Sequence, residues 1–319
     1  TSALEISMIL INLKKDDEVI MPSYTFTSTA NAVLLRGAKP VFADVNLHDV
    51  NLNYESVKKK INKRTKAIIV VHYAGNSCDM QKFLELKKKY NLILIEDCAH
   101  SFMGKFKNRF LGTIGDFGTF SFHETKNLVG GQCGAISINR QKYVKRANII
   151  LDKGTDRALI NNKKKYYSWK DIGSEFRSAE LPAALLYSQL SKFDKIDRKR
   201  HIISDYYKKK ILPLENKNFY IIKSDPKNKS ANHIFALIFK SLKLRDKFIN
   251  FMKLKKIFLV IFIYSLTYNN LLAIEPDVFV QSTVNRASKI LSEDSSKEKK
   301  IQDLQIIAKE TVDIRGIGF

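Results

Sequence analysis

Apolar residues in the first two-thirds of the chain follow two alternating patterns. Continuous apolar runs, such as residues 67–71 and 92–95, are typical of strands that are covered on both faces of a sheet. Between these runs lie amphipathic stretches with helical spacing, such as residues 80–90. Strands that alternate with helices of this length predict βαβ units and a mostly parallel sheet flanked by helices.

The same patterns predict the remaining elements. Further strands are predicted at residues 18–21, 40–43, 120–122, 135–138 and 233–239. Further helices are predicted at residues 25–36, 54–61, 142–151, 181–190 and 244–252, and a long basic, amphipathic stretch runs over residues 193–211. We therefore expect a large α/β domain over residues 1–211, a smaller and partial α+β domain over residues 212–265, and a tail at 266–319 without an assigned role.

The chain is strongly basic, since 55 Lys and Arg against 32 Asp and Glu give a formal net charge of +23. Such an excess suits either a nucleic-acid partner or a lysine-rich solvated surface. The lysines are scattered and are not interleaved with aromatic residues in the way that single-strand binders require. We therefore expect no nucleic-acid partner, and we note that a basic surface also attracts an anionic nucleotide substrate.

Cysteine usage and hydropathy predict a cytoplasmic protein. The three cysteines, Cys78, Cys98 and Cys133, are widely spaced, which argues against a disulfide framework or a zinc site. No secretory signal opens the sequence. The one strongly apolar run, at residues 257–266, is about half the ~20 residues that a membrane span needs. We therefore predict a buried strand there and no membrane insertion.

Asp97 directly follows a predicted strand. In open α/β sheets, ligands bind outside the carboxyl ends of the strands, so a carboxylate at this point could bind a metal, act as a base or pair with a cationic cofactor. Asp is also a common N-cap, and Asp97 could equally begin a helix. Position alone leaves both interpretations open.

Lys126 lies between an apolar, strand-like run and a turn that contains Gly130, Gly131 and Gly134. Most lysines are solvated surface groups. Here the preceding run places the lysine at the edge of a sheet, and the glycines allow backbone to approach a ligand closely. A desolvated lysine loses its proton more easily, as imine chemistry requires.

Pyridoxal-phosphate (PLP) chemistry requires a lysine, a carboxylate at the pyridinium nitrogen, phosphate donors at a helix N-terminus and a flat group against the ring. The sequence contains a candidate for each. Its successive motifs are DDEVIMPSYTF at residues 16–26, GAKPVF at 37–42, EDCAH at 96–100, GTIGD at 112–116 and SFHETKN at 121–127. In order and spacing they resemble the DegT/StrS family of sugar-nucleotide aminotransferases, from residue 1 to about residue 239 or 263.

The resemblance implies fold type I of the PLP-dependent aminotransferases and a role for each matched residue. Lys126 would form the Schiff base with PLP and move the proton during transamination. Asp97 would pair with the pyridinium nitrogen, and Phe26 would stack on the ring. His100 would lie near the ring hydroxyl, and Ser121 would donate to the phosphate. Taken singly, Phe26 could equally be a core residue, Ser121 a backbone-bonded strand residue and His100 a structural histidine.

Five further residues are implied with the phosphate and the substrate. Thr1 and Ser2 match the end of the phosphate-binding turn, and His123, Asn127 and Tyr24 match positions near the substrate. The strings HETKN, KGTDR at 153–157 and WKDIGS at 169–174 are most similar to transaminases that make dTDP-4-amino-4,6-dideoxygalactose for enterobacterial common antigen and lipopolysaccharide pathways. The implied reaction moves an amino group, with glutamate as the expected donor, to the 4-keto carbon of a dTDP-4-keto-6-deoxyhexose. A homodimer is implied.

The sequence departs from the family pattern in several places. It begins inside the phosphate-binding turn, without the segment that precedes it in the family. Glu175 stands where a partner subunit often supplies an Asn, and Gln132 and Cys133 stand where an acidic residue is usual. After about residue 263 no family motif is recognisable. A degenerate member that binds PLP or sugar nucleotide without turnover is therefore the alternative. A related dehydratase is not expected, because those relatives carry His at the position of Lys126.

Overall fold

Strands and helices alternate along the part of the chain that the structure describes, which is residues 1–159 and 166–254 together with Lys299. In the computed structural model the strands are β1 (Glu18–Pro22), β2 (Lys39–Ala43), β3 (Thr65–Val71), β4 (Ile93–Asp97), β5 (Lys105–Phe106), β6 (Arg109–Phe110), β7 (Phe117–Ser121), β8 (Gly134–Ile138), β9 (Phe219–Ile221) and β10 (Leu237–Phe239). The helices are α1 (Ser2–Leu10), α2 (Thr27–Leu34), α3 (Tyr54–Lys60), α4 (Met80–Tyr90), α5 (Gln141–Leu151), α6 (Glu180–Leu190), α7 (Phe193–Ile211) and α8 (Leu242–Leu254).

The central sheet has six strands in the order β2-β1-β3-β4-β7-β8. All neighbouring strands are parallel except β7 and β8, which are antiparallel. The predicted mostly parallel sheet is confirmed. Because parallel strands end at the same edge of a sheet, the chain segments that follow β1, β3, β4 and β7 emerge together at one edge.

Helices cover both faces of this sheet. Successive strand residues point to opposite faces, so Ile69 packs in the core under α1, α2 and α5, whereas Ile68 and Val70 pack in the core under α3 and α4. All three side chains have no exposed surface. Burial on both faces explains why the strand sequences are continuously apolar.

The helix predicted at residues 80–90 has the predicted bounds, and the amphipathic stretch at 193–211 forms one helix. The strand predicted at 233–239 is wrong in its first half. Only Leu237–Phe239 forms a strand, paired with β9. The backbone at His233 bonds to the loop after β3 and not to a neighbouring strand, since the His233 N–H donates to the Ala74 carbonyl at 3.0 Å.

The described residues up to Leu254 belong to one compact unit. The domain boundary at residue 212 stays a prediction. The apolar run at 257–266 and almost all of the 266–319 tail lie outside the described residues. Within the described ranges, no helix has both the length and the apolar character that crossing a membrane demands.

Candidate active site

Asp97 is the last residue of β4 and is buried at the carboxyl edge of the sheet. Its Oδ2 accepts a hydrogen bond from the Thr29 hydroxyl at 3.1 Å, and its Oδ1 accepts one from the Ala99 N–H at 3.1 Å. No α-helix begins here within the described residues, because the chain turns towards β5. The N-cap interpretation is therefore wrong. The two hydrogen bonds fix the direction of the carboxylate.

Lys126 lies in the turn that follows β7, and its N–H donates to the His123 carbonyl at 2.9 Å. The side chain is half-buried. Burial lowers the pKa of Lys126, and the negative charge of Asp97 opposes that shift without cancelling it. The two residues that the sequence paired as lysine and carboxylate therefore lie close enough to interact electrostatically.

A row of rings leads from the segment after β1 to the lysine turn. Tyr24 and Tyr73 have ring centroids 5.2 Å apart, Tyr73 and His100 are 5.6 Å apart, and His100 and His233 are 4.4 Å apart. Burial, reinforced by the charge of Lys126, lowers the pKa of His100 to about 3. Its Nδ1 accepts from the Ala74 N–H at 3.3 Å, so the proton of the neutral ring is on Nε2.

His233 is the residue that sequence reasoning missed. Its Nδ1 lies 2.7 Å from Oδ1 of Asn127, a pair separated by 106 residues in sequence. Burial lowers the pKa of His233 to about 2, and the charges of His100, Lys126 and Arg200 act in the same direction. Its sequence predicted the start of a strand at 233–239, and no sequence signal connected that segment to the lysine.

Two predicted phosphate ligands lie at the start of α1. Thr1 is the N-cap residue of α1 but makes no side-chain capping bond, and Ser2 is exposed. The Thr1 hydroxyl instead lies 2.6 Å from the hydroxyl of Ser28 in the first turn of α2. This contact brings two helix N-termini and their hydroxyl groups together, and such an arrangement suits an anion.

The other predicted cofactor ligands lie at the ends of the same elements. Ser121 ends β7 and is half-buried, and its hydroxyl is 3.5 Å from the His123 N–H. The His123 ring contacts the Thr125 hydroxyl at 3.1 Å. Phe26 immediately precedes α2 and is 60% exposed, so it is not a core residue. An exposed aromatic ring at the carboxyl edge of a sheet is available to a flat ligand.

A fully buried cluster of His72, Glu96 and Cys98 lies behind Asp97, with potential ligand atoms within 4.8 Å of one another. The acceptor atoms of His72 and Glu96 already accept hydrogen bonds within the protein. His72 Nδ1 accepts from the Cys78 N–H at 3.1 Å, so its Nε2–H donates to Glu96 Oε2, also at 3.1 Å. The Glu96 carboxylate further accepts backbone N–H groups of Gly112, Ile114 and Gly115 at 2.7–2.9 Å. The Glu96 carboxylate therefore fixes the backbone of the segment before β7.

Glu175, which stands in place of the expected Asn, is engaged with other residues of this chain. Its carboxylate forms an ion pair with Lys153, and its backbone forms a bridge with Asp152. Asp152 in turn pairs with Arg177 at 3.2 Å. The departure from the family pattern is thus compensated locally by ion pairs.

Comparison with known proteins gives one consistent result. The family model described as the DegT/DnrJ/EryC1/StrS aminotransferase family matches residues 1–292. An uncharacterized protein of Methanocaldococcus jannaschii is 33% identical over 264 residues, which is 81% of this chain and 68% of that protein. GDP-perosamine synthase of Escherichia coli O157:H7 is 35% identical over 212 residues, which is 66% of this chain and 56% of that protein. The chain therefore spans between about half and two-thirds of these relatives.

Solved structures agree with the sequence relatives. The aminotransferase TlmJ of Streptoalloteichus hindustanus superposes with a TM-score of 0.73 at 27% identity, over 80% of this chain and 67% of that chain. NtdA of Bacillus subtilis, solved with the cofactor PMP bound, superposes with a TM-score of 0.68 at 26% identity, over 77% of this chain and 54% of that chain. The fold is that of the PLP-dependent aminotransferases, fold type I.

Proposed function

Because the chain belongs to the DegT/DnrJ/EryC1/StrS aminotransferase family, we propose that it transfers an amino group from an amino acid to the keto carbon of a nucleotide-linked sugar. The cofactor of this family is PLP. The observation that carries the proposal is the half-buried Lys126, whose pKa is lowered by burial beside the oriented carboxylate of Asp97. A lysine, a buried carboxylate, an exposed ring and paired helix N-termini are the groups that PLP requires.

PLP, when bound, supplies a ring that delocalises the negative charge left when a carbon loses its proton. Lys126 would hold the cofactor and then move the proton, which its lowered pKa favours because more of the amine is unprotonated at neutral pH. Asp97 would keep the ring nitrogen protonated. The bonds from Thr29 and Ala99 support this role, because they restrict the carboxylate to one direction.

We propose that Thr1, Ser2 and Ser121 bind the phosphate and that Phe26 covers one face of the ring. The Thr1–Ser28 contact supports the phosphate assignment, because it places two helix N-termini side by side. The exposure of Phe26 supports the stacking assignment. His100 would donate from Nε2 towards the ring hydroxyl, since its Nδ1 is already an acceptor.

The acceptor is proposed to be the 4-keto carbon of a nucleotide-linked 6-deoxyhexose, with glutamate as the amino donor. The motif strings favour a dTDP-linked sugar, whereas the name of the Escherichia coli relative points to a GDP-linked sugar. Tyr24 and His123 are the proposed substrate contacts. Both lie on segments that emerge at the same sheet edge as Asp97 and Lys126. Such a product would serve bacterial surface-glycan synthesis in the cytoplasm.

A homodimer is also proposed. Large apolar side chains of α6 are exposed in the single chain: Leu181 by 84%, Tyr187 by 77% and Leu185 by 44%. A helix that exposes several large apolar side chains suits a protein interface. Light scattering coupled to gel filtration should give a dimer mass, and Leu181→Asp with Tyr187→Asp should convert it to a monomer. A monomeric parent protein would refute this assignment.

The decisive experiment is spectroscopic and kinetic. PLP added to the protein should produce the visible absorbance of lysine-bound PLP, Lys126→Ala should lack it, and the exposed Lys63→Ala should keep it. Glutamate should then bleach the absorbance, and a dTDP- or GDP-linked 4-keto-6-deoxyhexose should restore it with formation of amino sugar. Absorbance without product from either sugar would favour a degenerate binder. Unchanged absorbance in Lys126→Ala would refute the site.

A further inference from the structure

The chain between β9 and β10 passes beside the lysine turn without forming regular structure. The backbone N–H groups of Ala231 and His233 donate to the carbonyls of Gly75 and Ala74, both at 3.0 Å. Asn232 between them adopts a left-handed conformation with φ of 45°. Asn tolerates left-handed backbone better than most residues that carry a side chain, so this sharp turn of the chain is accessible at Asn232.

Helix α7 contacts this segment through Arg200. Arg200 Nε donates to the Asn232 carbonyl at 3.2 Å and its terminal nitrogen donates to the His233 carbonyl at 2.7 Å. The Ser204 hydroxyl, one turn further along α7, donates to Asn232 Oδ1 at 3.1 Å. Asp197, the carboxylate whose charge acts on Arg200, forms an ion pair with Lys229 at 2.8 Å and lies 3.4 Å from the His201 ring. The Arg200 guanidinium therefore fixes the backbone at residues 232 and 233 by donating to both carbonyls.

The segment 231–233 contacts Asn127, the residue next to Lys126. Asn127 Nδ2 donates to the Ala231 carbonyl at 2.7 Å, and Asn127 Oδ1 lies 2.7 Å from His233 Nδ1. Because the Asn127 amide nitrogen is the donor to Ala231, its oxygen must accept, and the His233 proton is therefore on Nδ1. Asn127 is fixed at both ends of its amide, which favours a positioning role over the substrate contact that the sequence suggested.

We infer that Arg200 is a positioning residue for the active-site lysine. It fixes the segment 231–233, this segment fixes Asn127, and Asn127 fixes the turn that carries Lys126. The inference rests on the proposed function, because the role of Lys126 does. A displacement of about 1 Å at a reacting group can cost about 100-fold in rate, so loss of this chain of contacts should be visible in turnover.

A double-mutant cycle separates positioning from a general effect on folding. The variants are Arg200→Met, Arg200→Lys, Asn127→Ala and Arg200→Met with Asn127→Ala. The matched control is Arg198→Met, an exposed arginine on the same helix. Each is measured for kcat, KM and Tm. Contacts that act in series give non-additive effects, whereas independent effects add.

Arg200→Met should lower kcat about tenfold or more with little change in KM, as expected when reacting groups are misplaced. The kcat of Arg200→Lys should lie between those of the parent protein and Arg200→Met, because a lysine cannot donate to both carbonyls in a fixed fork. Arg198→Met should match the parent protein. In the Asn127→Ala background, Arg200→Met should cost less than about twofold. An equal loss of kcat in both backgrounds, or a loss that only follows Tm, would overturn the inference.

A second measurement needs neither cofactor nor turnover. The imidazole ¹⁵N shifts of His233 in the PLP-free protein should report a ring protonated on Nδ1, and Arg200→Met should give a mixture of tautomers. The Arg198→Met spectrum should match that of the parent protein. If the parent protein shows no transamination but Arg200→Met still gives a mixture of His233 tautomers, the proposed function has failed and the positioning contact stands. An unchanged tautomer in Arg200→Met would overturn the contact itself.

Discussion

Glu96→Gln tests how much the buried hydrogen bonds of Glu96, the residue next to Asp97, contribute to stability. The carboxylate of Glu96 accepts four hydrogen bonds, from His72 and Gly112 on one oxygen and from Ile114 and Gly115 on the other. Glutamine has nearly the same shape, but one of its two terminal atoms is an NH₂ group. Whichever way the amide is oriented, two of the four donors then face another donor.

The cost follows from those two unsatisfied donors. A buried donor that loses its partner costs about 1–3 kcal/mol, so Glu96→Gln should lower the free energy of unfolding by about 4 kcal/mol. At about 2–4 °C per kcal/mol for a domain of this size, Tm should fall by about 10 °C. Urea titration and thermal unfolding measure both quantities, with Glu85→Gln on the exposed side of α4 as the matched control. A cost below about 1 kcal/mol would refute the reasoning.

The pH dependence gives a second check with a definite sign. Burial raises the pKa of Glu96, but the hydrogen bonds from His72 and the backbone amides outweigh it and hold the pKa below the ordinary value of 4.5. A folded pKa below the unfolded pKa means that the stabilisation is fully present above pH 4.5 and is lost as the pH falls through the folded pKa. The gap in unfolding free energy between the parent protein and Glu96→Gln should therefore narrow on acidification below that pH. A gap that widens would contradict the assignment.

Three further substitutions have expected outcomes. Asp97→Asn should leave the fold intact, as judged by Tm, but lower kcat by about 100-fold or more because the ring nitrogen loses its charged partner. Gly118→Ala should destabilise by about 3 kcal/mol or more in urea titration, since its methyl group would overlap the backbone of Gly112. Asp116→Asn should cost about 2 kcal/mol in unfolding free energy, because its carboxylate pairs with Lys87 at 2.6 Å; equal stability at neutral pH would exclude that pairing in solution.

Much of the fold could be predicted because its elements are marked locally. Helix α4 shows the clearest case: its apolar side chains recur at helical spacing, and Asn91 ends it in a left-handed conformation with φ of 51°. Asp97 could be assigned to the site because a parallel sheet gathers its strand ends at one edge. Its actual bonds to Thr29 and Ala99 could not be predicted, because they depend on where α2 packs.

The contacts of His233 and Arg200 could not be predicted from the sequence. These contacts join residues separated by 106 and by 33 positions in sequence, through a segment that forms neither strand nor helix. The apolar residues after His233 suggested a strand over its full length, but backbone bonds to the loop after β3 take precedence in its first half. Local patterns carry no information on such competition between partners.

The antiparallel pairing of β7 with β8 has a consequence for how the lysine turn can vary. Ser121 pairs with Gly134, and the Phe122 N–H donates to the Cys133 carbonyl at 2.9 Å, so both ends of the turn are fastened to the same strand edge. The side chains of the intervening residues can therefore vary without changing the pairing of the strands, whereas every parallel connection in this sheet must cross a face and pack there. The limit on that variation comes from outside the sheet, because Asn127 bonds to the segment 231–233 and Arg200 of α7 bonds to the same segment. A substitution in the turn should keep the position of residue 126 only where these contacts are kept.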